Sequence, residues 1–160
     1  MSKDLLVKNI RWLVTCNDAG EVLEHASMLV RNGVIVSIDQ PGDVKADEVI
    51  DASGMILYPG MINAHHHLYQ IFSRNLPQVQ RMELFPWLKT LYEIWKNLEE
   101  ESIYYSSMSG MGELLKTGCT TILDHHYVFP QGKSDRFLNV QFAAADELGV
   151  RFHATRGSMD

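Results

Sequence analysis

Residues 55–70 read MILYPGMINAHHHLYQ. An apolar run is broken by Pro59-Gly60, restarts, and ends on His65, His66 and His67, with an aromatic and an amide close behind. A short apolar run bounded by turn residues reads as a buried strand, and three imidazoles in a row are odd company for one. Successive side chains of a strand point to opposite faces, so His65 and His67 project the same way and His66 the other. Two convergent neutral imidazoles on a rigid strand end suit a divalent metal, whose bonds to imidazole nitrogen run about 2.0–2.1 Å. His66 falls to packing or to support of its neighbours.

Upstream of this stretch the apolar residues come in short β-branched bursts, LLVKNIRWLVT, SMLVRNGVIVSID and EVIDASGMILYPG, punctuated by Asn32-Gly33, Pro41-Gly42 and Gly54. These read as strands joined by turns, with Asn32-Gly33 as the strongest hairpin signal because both residues tolerate positive φ. No helix of useful length fits before Tyr58. Downstream the period changes. PWLKTLYEIWKNL puts Leu88, Leu91, Ile94, Trp95 and Leu98 on one helical face, with Pro86 in the first turn. On this stripe Trp87 and Trp95 are read as core. A second helix is expected over about Glu100 to Lys116, closed by Gly118, and its Glu99, Glu100 and Glu101 suit the helix macrodipole without any catalytic role. The strand CTTILDHH follows, then a helix from about Ser134 to Leu148 that turns Phe137, Val140, Gln141 and Ala144 inward and stops at Gly149, then the strand VRFHATR. Strands alternating with helices imply parallel strands with helical crossovers.

Polar residues gather where such architectures carry function, at the carboxyl ends of the strands. His65, His66 and His67 end the first, Asp124, His125 and His126 the second, and His153 with Arg156 the third; these positions hold six of the chain's seven histidines, and only His25 lies elsewhere. Alternation turns one of the 125–126 pair to the pocket, and His125 is the choice, with Asp124 and His126 toward the helices.

Composition narrows the class. The 160 residues are 46% hydrophobic and 21% charged, enough for a real core. A formal charge of −6 argues against a nucleic acid polymer as partner. Cys16 and Cys119 stand far apart, outside any metal or disulfide pattern, and are read as small buried hydrophobes. No secretory leader pattern and no run of about 18 apolar residues occurs, so a cytoplasmic protein away from membranes is expected.

DASGMILYPGMINAHHH resembles the signature of the amidohydrolase superfamily. HHHLYQ, KTGCTTILDHHYVFP and RFHATRGSM resemble its nucleobase-type aminohydrolases, in particular the branch with 8-oxoguanine deaminase and hydroxyatrazine hydrolase. The resemblance implies the first three βα units of a (β/α)8 TIM barrel over residues 59–160, preceded over residues 1–58 by the amino-terminal part of a composite β-sandwich. It also implies one divalent metal, zinc ahead of iron, held in part by His65 and His67. The remaining ligands and the general acid would come from later strands of a barrel of about 400 residues or more, so no catalytic acid or base is assigned within these residues, and the chain is read as an amino-terminal portion. Three strands cannot close a barrel, and poor autonomous stability is expected.

The same resemblance marks Gln70 as a contact to a small aromatic N-heterocycle. Its amide offers donor and acceptor to a purine, pterin or triazine edge, where by itself it reads as a solvated loop amide. Tyr69 stacks on a planar ring or packs under the loop. Arg156 meets a substrate carbonyl or carboxylate, or pins neighbouring loops. The long segment from about Leu68 to Phe85 is expected to cover the site. The complete enzyme would be a homo-oligomeric deaminase. A superfamily hydrolase opening a cyclic amide, or a noncatalytic partial barrel that needs a partner chain, is the alternative.

Overall fold

The computed structural model describes residues 3–39, 44–133 and 135–158. The Pro41-Gly42 turn and the proposed helix start at Ser134 lie outside these residues. The chain separates into two compact units, residues 1–59 and 60–160.

The first unit is all β: β1 (Leu5–Val14), β2 (Val22–Arg31), β3 (Val34–Ile38), β4 (Glu48–Asp51) and β5 (Ile56–Leu57). The sheet order is β3-β2-β1-β4, with β5 also pairing β1. Asn32 and Gly33, with φ of 51° and 75°, make the tight turn between β2 and β3. β2 starts earlier than the SMLV burst, because its polar opening VLEHA pairs with β1 from Val14↔Val22 to Ile10↔Ala26. A bulge between Val7 and Ile10, with Asn9 at φ 57°, lets both side chains reach the core beside Ala26 and Ala52. Cys16 is exposed, contrary to its reading as a buried hydrophobe, since it sits at positive φ in the turn after β1; Cys119 is buried as expected.

The second unit runs β6 (Met61–His66), two 3₁₀ turns (Leu68–Ser73 and Pro77–Val79), α1 (Leu84–Trp95), α2 (Glu100–Lys116), β7 (Cys119–His126), α3 (Phe137–Leu148) and β8 (Arg151–Arg156). Its sheet has the order β6-β7-β8, and both pairings are parallel, as crossover helices require. This is a mixed α/β fold. Gly60 is needed where β6 enters the sheet: a Cβ there would lie 2.0 Å from Thr120 Oγ1 and 2.8 Å from its Cβ. Phe137, Gln141 and Ala144 are the buried face of α3, which ends on Gly149 in the left-handed region with Val150 N–H returning to the Ala145 carbonyl.

Two departures concern the helical stripe and the long connection. Ile94 is 41% exposed; the inward face of α1 is Leu88, Leu91 and Trp95, joined by Tyr92, and Ile94 falls to its flank. The segment after His67 is not a free loop. Its 3₁₀ turns bury Leu68, which packs with Met111 of α2 and Ile122 of β7, and Tyr69 and Val79, which join Leu91, Trp95 and Ile103 of the helices.

Candidate metal and ligand site

The site forms at the carboxyl ends of β6 and β7. β6 is directly paired with β7 at His66↔Asp124, after a bulge between Asn63 and His66, so simple alternation does not place the histidines. The turn at His67 does. His67 leaves the strand at φ −137°, ψ 81°, and its backbone N–H bonds His66 Nδ1 at 2.9 Å. The His65 and His67 rings meet edge to face, 5.1 Å between centroids. His67 Nδ1 lies 2.8 Å from the carbonyl oxygen of His125. A carbonyl can only accept, so Nδ1 carries the proton and Nε2 keeps its lone pair. No hydrogen bond engages the His65 ring among the described residues.

Behind the pair lies a buried polar network. Asp124 accepts the Leu68 N–H at 2.6 Å and the Gln141 Nε2 donor at 2.7 Å, and both side chains are fully buried. It therefore clamps the backbone one residue past His67. Burial pushes the Asp124 carboxyl above the usual carboxylate range, opposed by those two hydrogen bonds and by His66 and His67. Burial also lowers the pKa of His66, as does the neighbouring His67, while Asp124 opposes them. His126 is enclosed, its Nε2 2.9 Å from the Val128 carbonyl and its Nδ1 without a partner among the described residues. Desolvation drops its pKa to about 4.

His125 projects the opposite way from Asp124 and His126. Its Nδ1 is 2.7 Å from Thr155 Oγ1, and Gly157 passes so close that a Cβ there would lie 2.6 Å from His125 Nε2. His67, Gln70, Trp87, Leu88, His125 and Tyr127 share the wall of a cavity of about 360 Å³. A second cavity of about 240 Å³ opens on His65, His67, Gln70 and Arg74. Gln70 thus borders both. Its Nε2 donates to the hydroxyls of Tyr127 at 3.0 Å and Tyr69 at 3.2 Å.

The structure brings His65, His67, Gln70 and His125 together and leaves two candidates out. Tyr69 is 1% exposed and closed in by Trp95 and His126, because the 3₁₀ turn starting at Leu68 swings it under the segment; stacking on a ligand is corrected to packing. Arg156 stands over the Phe129 ring at 4.5 Å, off both cavity walls. It pairs with His126 across β7 and β8 and so shares that residue's face. Conversely Trp87, read as core, contributes to the larger cavity as well as packing on the core. Tyr127 belongs to no pattern that marks it in the sequence, although carrying the alternation one residue past His126 turns it to the side of His125, and it lines the larger cavity.

The donor set fits part of a metal site. Two imidazoles stand side by side, one with its tautomer fixed by an outer carbonyl as metal-binding histidines commonly are, but no group of three or more His, Cys, Asp or Glu side chains is placed to hold an ion among the described residues.

The chain belongs to the amidohydrolase family, whose sequence model matches residues 56–160. It is 39% identical over 157 residues to hydroxydechloroatrazine ethylaminohydrolase of Pseudomonas sp. strain ADP, covering 91% of this chain and 33% of that protein. It is 42% identical over 136 residues to 8-oxoguanine deaminase of Pseudomonas aeruginosa, covering 82% and 30%. The crystal structure of atrazine chlorohydrolase from Arthrobacter aurescens TC1, complexed with zinc, superposes with a TM-score of 0.89 at 31% identity, over 95% of this chain and 35% of that one. The chain spans about a third of the length of these relatives. No helix among the described residues is long and apolar enough to cross a membrane.

Proposed function

We propose that the full-length protein is a cytoplasmic, homo-oligomeric, metal-dependent aminohydrolase that releases ammonia from an aminated aromatic N-heterocycle of the 8-oxoguanine, guanine, pterin or triazine kind. The observation that carries this is the close approach of the His65 and His67 rings, 5.1 Å between centroids, with His67 fixed in its Nδ1–H tautomer beside the cavity that Gln70 and His125 border. The activities named for the relatives support the substrate class. Residues 59–160 are the first three βα units of a (β/α)8 barrel and residues 1–58 part of a composite β-sandwich, a reading supported by the parallel order β6-β7-β8 with helical crossovers.

His65 and His67 would hold one divalent ion, zinc ahead of iron, in line with the zinc in the related chlorohydrolase. Such an ion supplies Lewis acidity that makes water nucleophilic near neutral pH. The chain's own residues do the rest of the positioning. The His125 carbonyl orients the His67 ring, and Asp124 holds the backbone after it. Gln70 binds the polar edge of the ring, and Trp87 offers a flat apolar wall for its face. The general acid and base lie outside residues 1–160.

In the full-length protein, replacing His65 and His67 together by Ala is expected to abolish metal content, read by elemental analysis on folded protein. Stoichiometric metal in that variant would remove the ligand assignment. One ion per subunit fits this reading, and two favour a cyclic-amide hydrolase.

A further inference from the structure

We infer that Tyr127 is a specificity-determining residue: its ring stands between the ligand cavity and a second, aromatic-walled cavity, and so admits a bare heterocycle while excluding one that carries an aryl arm. The inference rests on the cavity beside His67 and Gln70 being the ligand site, as proposed above. The second cavity, of about 300 Å³, is lined by Tyr92, Lys96, Tyr127, Val128, Phe129 and Pro130, and Tyr127 is the one residue it shares with the ligand cavity. The other walls of both run along the same two elements. Leu84 and Leu88 of α1 border the ligand cavity; Tyr92 of α1 and Lys96 just past its end continue the same i, i+4 row and border the second. Opposite them His125 borders the first, and Val128, Phe129 and Pro130 the second. The two cavities therefore lie end to end between α1 and the segment that leaves β7, with Tyr127 between them.

Tyr127 is held there from several sides. Its ring meets His67 edge to face at 5.2 Å and Tyr69 at 5.5 Å between centroids. Tyr69 yields no room, being 1% exposed and packed edge to face on Trp95. Gly157 passes so close that a Cβ there would lie 2.7 Å from Tyr127 Cβ, and the Tyr127 hydroxyl lies 3.0 Å from Gln70 Nε2. A ring bounded in this way cannot swing aside for a ligand without breaking these contacts. Beyond it, the rings of Tyr92 and Phe129 with Pro130 give the second cavity an aromatic and apolar wall, which suits an aryl group. The Lys96 ammonium is paired with Glu93, so an anionic arm finds no uncommitted cation there.

The test uses the full-length holoenzyme with 8-oxoguanine and its 7-benzyl and 9-benzyl derivatives, read as kcat/KM for ammonia release. The wild type is expected to prefer the bare ring by at least about tenfold over either derivative. Tyr127→Ala joins the two cavities and should move that ratio at least about tenfold toward one derivative, the one whose arm points at residue 127 when the amino group faces the histidine pair. Tyr127→Phe keeps the ring and should keep the wild-type ratio. Tyr127→Leu still fills part of the space and should move the ratio the same way by less, which carries the test if the Ala chain does not fold. A crystal structure of the opened variant with the favoured derivative should place the benzyl group against Tyr92 and Phe129. A purely structural role for Tyr127 lowers kcat/KM for all three probes alike and leaves their ratios unchanged. That result, absence of a preference in the wild type, a shift as large in Tyr127→Phe as in Tyr127→Ala, or a benzyl group seated elsewhere overturns the inference. Each of these leaves the metal test of His65 and His67 standing, whereas a wild type that releases ammonia from none of the probes removes the purine reading of the substrate and the inference with it.

Discussion

Gln70→Ala separates a ligand contact from a loop amide at the scale of one side chain. Deleting the amide leaves a desolvated ligand group unpaired, at a cost of about 1–3 kcal/mol. In the full-length enzyme kcat/KM for an aminated heterocycle should fall roughly ten- to a hundredfold at unchanged metal content; activity within about twofold of wild type on purines, pterins and triazines alike would return Gln70 to the solvent. A second residue titrates in a readable way. His126 protonates near pH 4 in the folded chain because burial disfavours its charge, against about 6.5 when unfolded. Between those values the unfolded state binds more protons, so stability is full above about pH 6.5 and declines as pH falls toward 4, by at most about 3 kcal/mol. The melting temperature of the wild type should therefore drop more between pH 7.5 and 5 than that of His126→Phe, and equal drops would contradict the assignment. The facing of His125 and the burial of His126 were legible because β7 runs straight to His126. Tyr69 was not, since β6 ends at His66 and the 3₁₀ turn resets the direction. Trp87 shows the other limit: a helical stripe reports which face is apolar, and not that its first turn borders a cavity.

At the scale of elements, Asp124 ties three of them together, accepting from Leu68 at the start of the 3₁₀ turn while sitting on β7 and bonded to α3. Asp124→Ala should leave the buried Leu68 N–H without an acceptor and destabilise by about 1–3 kcal/mol. Asp124→Asn should cost less. Its Oδ1 still accepts from Leu68, and its amide can donate to Gln141 Oε1, an atom without a partner among the described residues, once the Gln141 amide turns. Chemical denaturation of the full-length protein orders the variants, and an Asn variant as unstable as Ala would show that the charge rather than the hydrogen bond matters. The elements themselves were well signalled where local chemistry is strong. α2 and β7 begin and end at the expected residues, since Glu99 to Glu101 open the helix and Gly118 separates the two. Glu99 also pairs with Lys133 at 2.8 Å on the surface, a structural use for that acidic cluster. The SMLV burst marks only the second half of β2, because the first half is polar and owes its strand form to pairing with β1, information that no window of ten residues contains.

At the scale of the whole molecule, the sheet of the second unit is an unclosed structure. β6 and β8 each pair only with β7 among the described residues, leaving one hydrogen-bonding edge of each strand open. Met61 and Ile62, on β6, are 63% and 72% exposed, and Phe85 at the start of α1 is 79% exposed. Burying a large aliphatic or aromatic side chain contributes about 1.5–3 kcal/mol, so a handful of such residues left in water is comparable to the whole stability of an ordinary domain, about 5–15 kcal/mol. Backbone groups along the open edges add a tendency to pair with other copies. A polypeptide of these 160 residues alone should therefore unfold at low temperature or associate with itself, with rapid proteolysis around the exposed segments. The same residues followed by the rest of a barrel should melt cooperatively and resist protease. Thermal unfolding with light scattering, run on both polypeptides at equal concentration, separates the cases. A monomeric 160-residue chain with a sharp, protease-resistant transition would mean that β6, β7, β8 and their helices are sufficient by themselves, and that the exposed apolar residues need no further covering.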